Sequence, residues 1–196
     1  MNSMVHQIAR WISSLGHPIL TIPAFAIWFE FTHEPAAKAW LVSALIVGLV
    51  VLPLSYKTWR GFKKGAYSNM DVSNREERKR WFRIPIISML LLTAAMYFGF
   101  HDLPLTIAVG AITVMLFAFK LVNQYAIKAS LHVGVNAYLA LVALSMNTKL
   151  FGVIGAITLV VGWSRVVLKR HTLAEVLVGA LLGAFFGAVA AYFMDF

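Results

Sequence analysis

Apolar and polar positions fall in long blocks along this chain rather than alternating. Seven apolar runs stand out, at 17–32, 38–56, 84–100, 104–122, 131–146, 150–168 and 173–193. A helix needs about 20 residues to cross a bilayer, with about 17 as the usual lower limit. The second, fourth, sixth and seventh runs meet that length. The third and fifth are shorter and are expected to extend into their flanks. The first contains Pro18, Pro23 and Glu30, so it reads as a kinked or shallow segment. It has neither a basic start nor a small-residue cleavage site, and is therefore read as a retained segment rather than a signal peptide. Hairpin breaks fall at His33-Glu34-Pro35, His101-Asp102-Leu103-Pro104 and Asn147-Thr148-Lys149. The pattern predicts an all-α polytopic membrane bundle of six to seven transmembrane helices, forming one domain over 1–196.

Three polar islands interrupt these runs. The longest is 57–83, broken in its first half by Gly61, Gly65 and Ser68-Asn69. Its second half, 71–80, reads as a helix capped by Asp71 or Ser73, with Glu76 and Glu77 in a first turn whose dipole favours acids. Arg75 and Arg78 then share a face. The second island is 123–132, where Ser130 suits the N-cap of the next span and leaves free backbone N–H groups, a ready anion site, beside His132. The third holds Ser164-Arg165, then His171 and Glu175. Two spans separate the first island from the second, and two more separate the second from the third. All three therefore fall on one side of the membrane.

Composition agrees with this class. Hydrophobic residues make up 60% of the 196 and charged ones 13%, where soluble domains carry roughly a quarter charged residues. Mean hydropathy is +0.78. The net charge of +9 lies in short loops between apolar runs, which suits lipid headgroups and argues against nucleic acid. There are no cysteines, which excludes disulfides, thiolate metal sites and a cysteine nucleophile. Of the 17 lysines and arginines, only Lys38 and Lys149 lie on the side away from the islands. The positive-inside rule then predicts an inner-membrane protein with its islands in the cytoplasm.

The chemistry sits in the islands. His171 and Glu175 are four apart and share a helical face. The carboxylate can take the proton of one ring nitrogen and leave the other free to attack. Arg165 is a fixed cation for an oxyanion or phosphate. With Arg75, Arg78, Lys128, Ser130 and its helix-end amides, and His132, the set suits a tetrahedral phosphate and its pentacoordinate transition state. His132 and His171 lack a third clear metal ligand and stand among cations, so no metal and no other cofactor is expected.

Ser164-Arg165-x5-His171-x3-Glu175 resembles the third signature of the type-2 phosphatidic acid phosphatase superfamily, Ser-Arg-x5-His-x3-Asp. Ala129-Ser130-Leu131-His132 is similar to its second, Pro-Ser-Gly-His. The first, Lys-x6-Arg-Pro, is matched only loosely by Arg83-Ile84-Pro85, and a variant, Asp71-x3-Arg75-x2-Arg78, stands in its place. Leu131 replaces a glycine whose backbone approaches phosphate, and Glu175 replaces an aspartate. The resemblance implies a helical membrane phosphatase in which His171 attacks phosphorus, Glu175 orients it and His132 protonates the leaving lipid. Arg75, Arg78, Lys128, Arg165 and the backbone around Ser130 and Leu131 hold the phosphate. The substrate class is then a lipid phosphate monoester or diphosphate: phosphatidate, phosphatidylglycerophosphate or an isoprenyl phosphate. A non-catalytic headgroup binder or transporter, and a lipid phosphotransferase, are the alternatives. Gly179, Gly183 and Gly187 form a small-residue face, read as internal packing in a monomer with a weak dimer seam as the other reading.

Overall fold

The structure, a computed structural model, describes residues 3–194, and all of its regular elements are helical. Helix α1 (Ser3–Leu15) joins α2 (Pro18–His33) at a 48° bend. His17 caps α2 through Nδ1, which accepts the Ile19 N–H, and Pro18 follows in the first turn, where its missing N–H costs nothing. Helix α3 (Ala36–Ile46) runs through a π-helical turn (Val47–Val51) into α4 (Leu52–Lys63), as one 28-residue helix. Pro53 cannot donate to the turn before it, and the wider π turn lies next to that missing bond. Gly61, expected as a break, is inside α4; the chain leaves the helix at Gly65, which has φ +70°.

Helices α5 (Arg75–Trp81) and α6 (Arg83–Ala94) continue through a second π-helical stretch (Ala95–Phe100) to make 26 residues, so the third run does extend into its flank. The cap of α5 is Asn74, accepting from the Glu76 and Glu77 N–H groups, rather than Asp71 or Ser73. Both of those side chains are committed elsewhere. Then come α7 (Leu103–Tyr125), α8 (Leu131–Met146), α9 (Thr148–Val167) and α10 (Leu173–Met194). Five of these helices are long and apolar enough to cross a membrane, six if α1 and α2 count as one broken span. The fifth run does not lengthen: α8 stays at 16 residues between Ser130 and Asn147.

That short helix is the centre of the molecule. Its apolar residues run all the way round, as a helix enclosed by others requires, and almost every side chain from Leu131 to Ala143 is buried. Helices α2, α9 and α10 pack around it, and the Tyr138 hydroxyl reaches α7, donating to the Ala108 carbonyl at 2.7 Å. The face of α10 bearing Gly179, Gly183 and Gly187 lies directly on α8: a Cβ at Gly179 would stand 2.5 Å from the Ser130 carbonyl oxygen. This is internal packing, and it fixes the start of α8 against the start of α10. Leu159 of α9 and Leu181 and Phe185 of α10 point outward as lipid-facing surface.

Candidate active site

The three islands meet at one end of the bundle. Arg165 closes α9. The chain turns at Lys169, which takes the left-handed conformation (φ +54°), and the N–H groups of Arg170 and His171 return to the Arg165 carbonyl at 3.0 and 3.3 Å. This tight return is why five residues separate the arginine from the histidine. Thr172 and Glu175 then form a capping box at the start of α10: Glu175 N–H donates to Thr172 Oγ1 at 3.3 Å, and Thr172 N–H donates to Glu175 Oε2 at 3.1 Å.

The same Oε2 stands 3.0 Å from His171 Nδ1, and the Lys128 carbonyl oxygen is 3.1 Å from that nitrogen. Two acceptors at Nδ1 place the proton there and leave the Nε2 lone pair free. Burial, then the charges of Arg78, Arg165 and Lys128, push His171 down to about 2, so the ring is neutral at any ordinary pH. Nε2 is buried and has no partner among the described residues.

Arg165 is fully buried. Its Nη1 donates to Ser13 Oγ and to Asp71 Oδ2, the latter at 2.8 Å. Its Nε and Nη2, the two-donor edge that fits a phosphate or carboxylate, are buried and unpartnered. Burial alone would raise the Asp71 carboxyl, but the charge and hydrogen bond of Arg165 outweigh it and hold Asp71 below the usual carboxylate range. Arg78 donates to the Val72 carbonyl at 3.2 Å and the Ala129 carbonyl at 3.1 Å. Val72 is buried with φ +46°, a strained conformation for a β-branched residue. Two consecutive residues of one loop thus each hold one of the two buried arginines.

Ser130 is the residue before α8, as expected, but its hydroxyl caps nothing: Oγ is buried and free, while its N–H donates to the Glu175 carbonyl at 2.9 Å. His132, one residue into α8, is 3% exposed with Nε2 unpartnered. Leu131 packs its side chain into the core. Lys128 donates to the Arg170 carbonyl at 2.8 Å and stands 3.9 Å from Glu175. Burial and the nearby arginines lower its affinity for a proton, against the pull of Glu175. Lys128, His171 and Glu175 also line an open cleft of about 330 Å³. Arg75 is the residue not brought to the centre. It donates to the carbonyls of Asn123, Gln124 and Ala126 at 2.7, 3.4 and 3.1 Å, closing the end of α7.

Three contributors are absent from the sequence reading: Ser13 on Arg165, His17, and Asp71 as an ion-pair partner. The His17 ring meets the His132 ring edge-on at 4.7 Å between centroids. One ligating atom each of His17, Asp71 and His132 lie within 4.8 Å of one another. Such a trio could take a cation, but Asp71 is already shared with Arg165, and Arg78 lines the same small cavity. In the sequence His17 simply stands before Pro18, and no local pattern sets it apart as a site residue.

Beside this cluster lies an apolar groove of about 730 Å³ between α1, α2, α8 and α9, lined by Leu15, Phe25, Trp28, Leu139, Ile157 and Val161. Its polar end is Asn136, one turn below His132, whose Nδ2 donates to the Gly16 carbonyl at 3.1 Å and the His132 carbonyl at 2.7 Å. Comparison with family models, curated proteins and solved structures finds no match to this chain.

Proposed function

We propose that this protein is an integral-membrane phosphatase that hydrolyses a lipid phosphate monoester or diphosphate through a phosphohistidine. One observation carries the reading. Arg165 Nε and Nη2, His132 Nε2, His171 Nε2 and Ser130 Oγ are all buried without a partner at one end of the bundle. Each such group costs about 1–3 kcal/mol left unsatisfied. A phosphate satisfies this set: oxygens for the guanidinium edge and the hydroxyl, and an electrophilic centre for a free imidazole lone pair.

Supported by the Nδ1 contacts, His171 attacks through Nε2 and the N–P bond forms as the P–O bond to the lipid breaks. His132 protonates the departing oxygen. Water then attacks phosphorus, its proton goes to His132, and phosphate leaves neutral His171. Arg165 and Arg78 neutralise the equatorial oxygens, and Glu175 stabilises the developing imidazolium. The open cleft at Lys128 is the route for phosphate to water. The adjacent apolar groove supports a lipid as substrate, since it offers a hydrocarbon chain a path that begins beside His132. A headgroup binder or transporter would use the guanidinium edge but has no need of an oriented Nε2 lone pair.

Phosphate release from a panel of lipid phosphates tests this, with His171→Ala and His132→Ala as controls. Losses of about 10²-fold or more are expected in either variant. Full activity in either, or activity abolished by a chelator and restored by added divalent cation, would overturn the assignment.

A further inference from the structure

His132 must hold a proton to give one to the leaving group. A buried imidazole among cations does so only beside an anion. The charged and titratable groups facing it are Arg165 from α9, Arg78 from α5, His171 from the turn before α10, and His17 from the joint of α1 and α2. Glu175 belongs to His171. That leaves Asp71, which gives Oδ2 to Arg165 while a carboxylate oxygen lies within 4.8 Å of a ring nitrogen of both His17 and His132. His17 Nδ1 is occupied as acceptor for the Ile19 N–H at 3.1 Å. The neutral ring therefore carries its proton on Nε2, as a donor. His17, Asp71, Arg78 and His132 also line a cavity of about 20 Å³, room for a single bridging water.

We infer that Asp71 and His17 are positioning residues for His132: the Asp71 carboxylate is the counter-ion that keeps His132 protonated before lipid departure, and His17 holds that carboxylate in place, directly or through one water. The inference rests on the phosphatase reading above. The proton cycle closes. His132 gives its proton to the lipid oxygen as the P–O bond breaks, and regains one from the water that breaks the N–P bond. Asp71 accompanies both states without itself transferring a group. The loop pays for this placement with the strained Val72, whose conformation presents the Asp71 side chain inward and the Val72 carbonyl to Arg78.

The test compares a leaving group that needs a proton with one that does not: phosphatidate in mixed micelles against p-nitrophenyl phosphate. In Asp71→Asn, kcat on phosphatidate should fall about 10²-fold and kcat on p-nitrophenyl phosphate by less than about tenfold, the signature of a lost general acid. The alkaline limb of kcat on phosphatidate should move to lower pH. His17→Asn keeps an N-cap side chain for Ile19 and retains both partners of the Asp71–Arg165 pair. It should show the same substrate split at smaller size. Equal losses on the two substrates, a change confined to KM, or an alkaline limb that stays in place would overturn the role and reduce Asp71 to a clamp on Arg165. If the parent protein hydrolyses neither substrate, the phosphatase reading falls first and takes this inference with it.

Discussion

Glu175 shows how two physical demands converge on one side chain. Its Oε2 closes the capping box with Thr172 and also accepts the hydrogen bond of His171 Nδ1–H. Glutamine serves a capping box as well as glutamate but carries no charge. Glu175→Gln should therefore keep the stability of α10 and lose most phosphatase activity, whereas Glu175→Asp keeps the charge and should be the more active of the two. Thermal unfolding and phosphate release on the same preparations check both halves. If Glu175→Gln were as active as the parent, the carboxylate would be a cap and nothing more. His171 carries a pH consequence. The folded protein holds it neutral down to about 2, while the unfolded chain binds a proton below the ordinary value of 6.5. The unfolded state thus takes up more protons across that window, so stability falls as pH drops from 6.5. Followed by unfolding, His171→Gln should lose less stability than the parent between pH 7.5 and 5.5, a difference on the order of 1 kcal/mol.

At the scale of elements, what the sequence made legible was local. The i,i+4 pair of His171 and Glu175, the long apolar runs and the small-residue face of α10 each follow from one helix's periodicity. The bonds that assemble the site join residues far apart. Asp71 reaches Arg165 across 94 positions. No local rule distinguishes an aspartate that caps a helix from one that leaves the cap to Asn74 and pairs with α9 instead. Arg75 and Arg78 looked equivalent on α5, yet only Arg78 turns inward, because the free carbonyls at the end of α7 take Arg75. Helix α1 was missed because its outward stripe of Met4, Ile8, Trp11 and Leu15 runs beside a polar stripe of Ser3, Gln7, Arg10 and Ser14, giving a weaker apolar run than a span. Such a helix suits the membrane interface. The glycine face offers a clean test of element packing. Gly179→Val would drive a methyl-bearing carbon into the Ser130 backbone, while a Cβ at Gly155 of α9 meets nothing within 4 Å. Gly179→Val should cost about 1–3 kcal/mol of stability and disturb the site, and Gly155→Val should do neither.

For the whole molecule, the question is which side of the membrane the site faces. The structure joins the three islands at one end, through Asp71 to Arg165, Arg78 to Ala129 and Lys128 to Arg170. Helix α1 is at the same end, with Ser13 on Arg165. Arg10 therefore belongs to the same side. Arg78 and Arg165 are buried inside the site and are poor witnesses for topology, yet Lys57, Arg60, Lys63, Lys64, Arg80 and Lys169 lie on exposed or half-buried surface there. At the opposite end, Lys38 is held by Glu34 at 2.9 Å and Asp102 at 2.7 Å, so its charge is already matched. Lys149 is left as the single unmatched cation of that end among the described residues. Applied to this bias, the positive-inside rule predicts a cytoplasmic site with substrate drawn from the inner leaflet, and we propose that orientation. The cysteine-free chain lets this be read directly. Single cysteines at Ser68, near the site, and Thr148, at the far end, both fall at exposed positions. In intact cells an impermeant thiol reagent should label Thr148→Cys and spare Ser68→Cys until the membrane is opened. The reverse pattern would place the site outside, and the lipid phosphate it takes would then come from the outer leaflet.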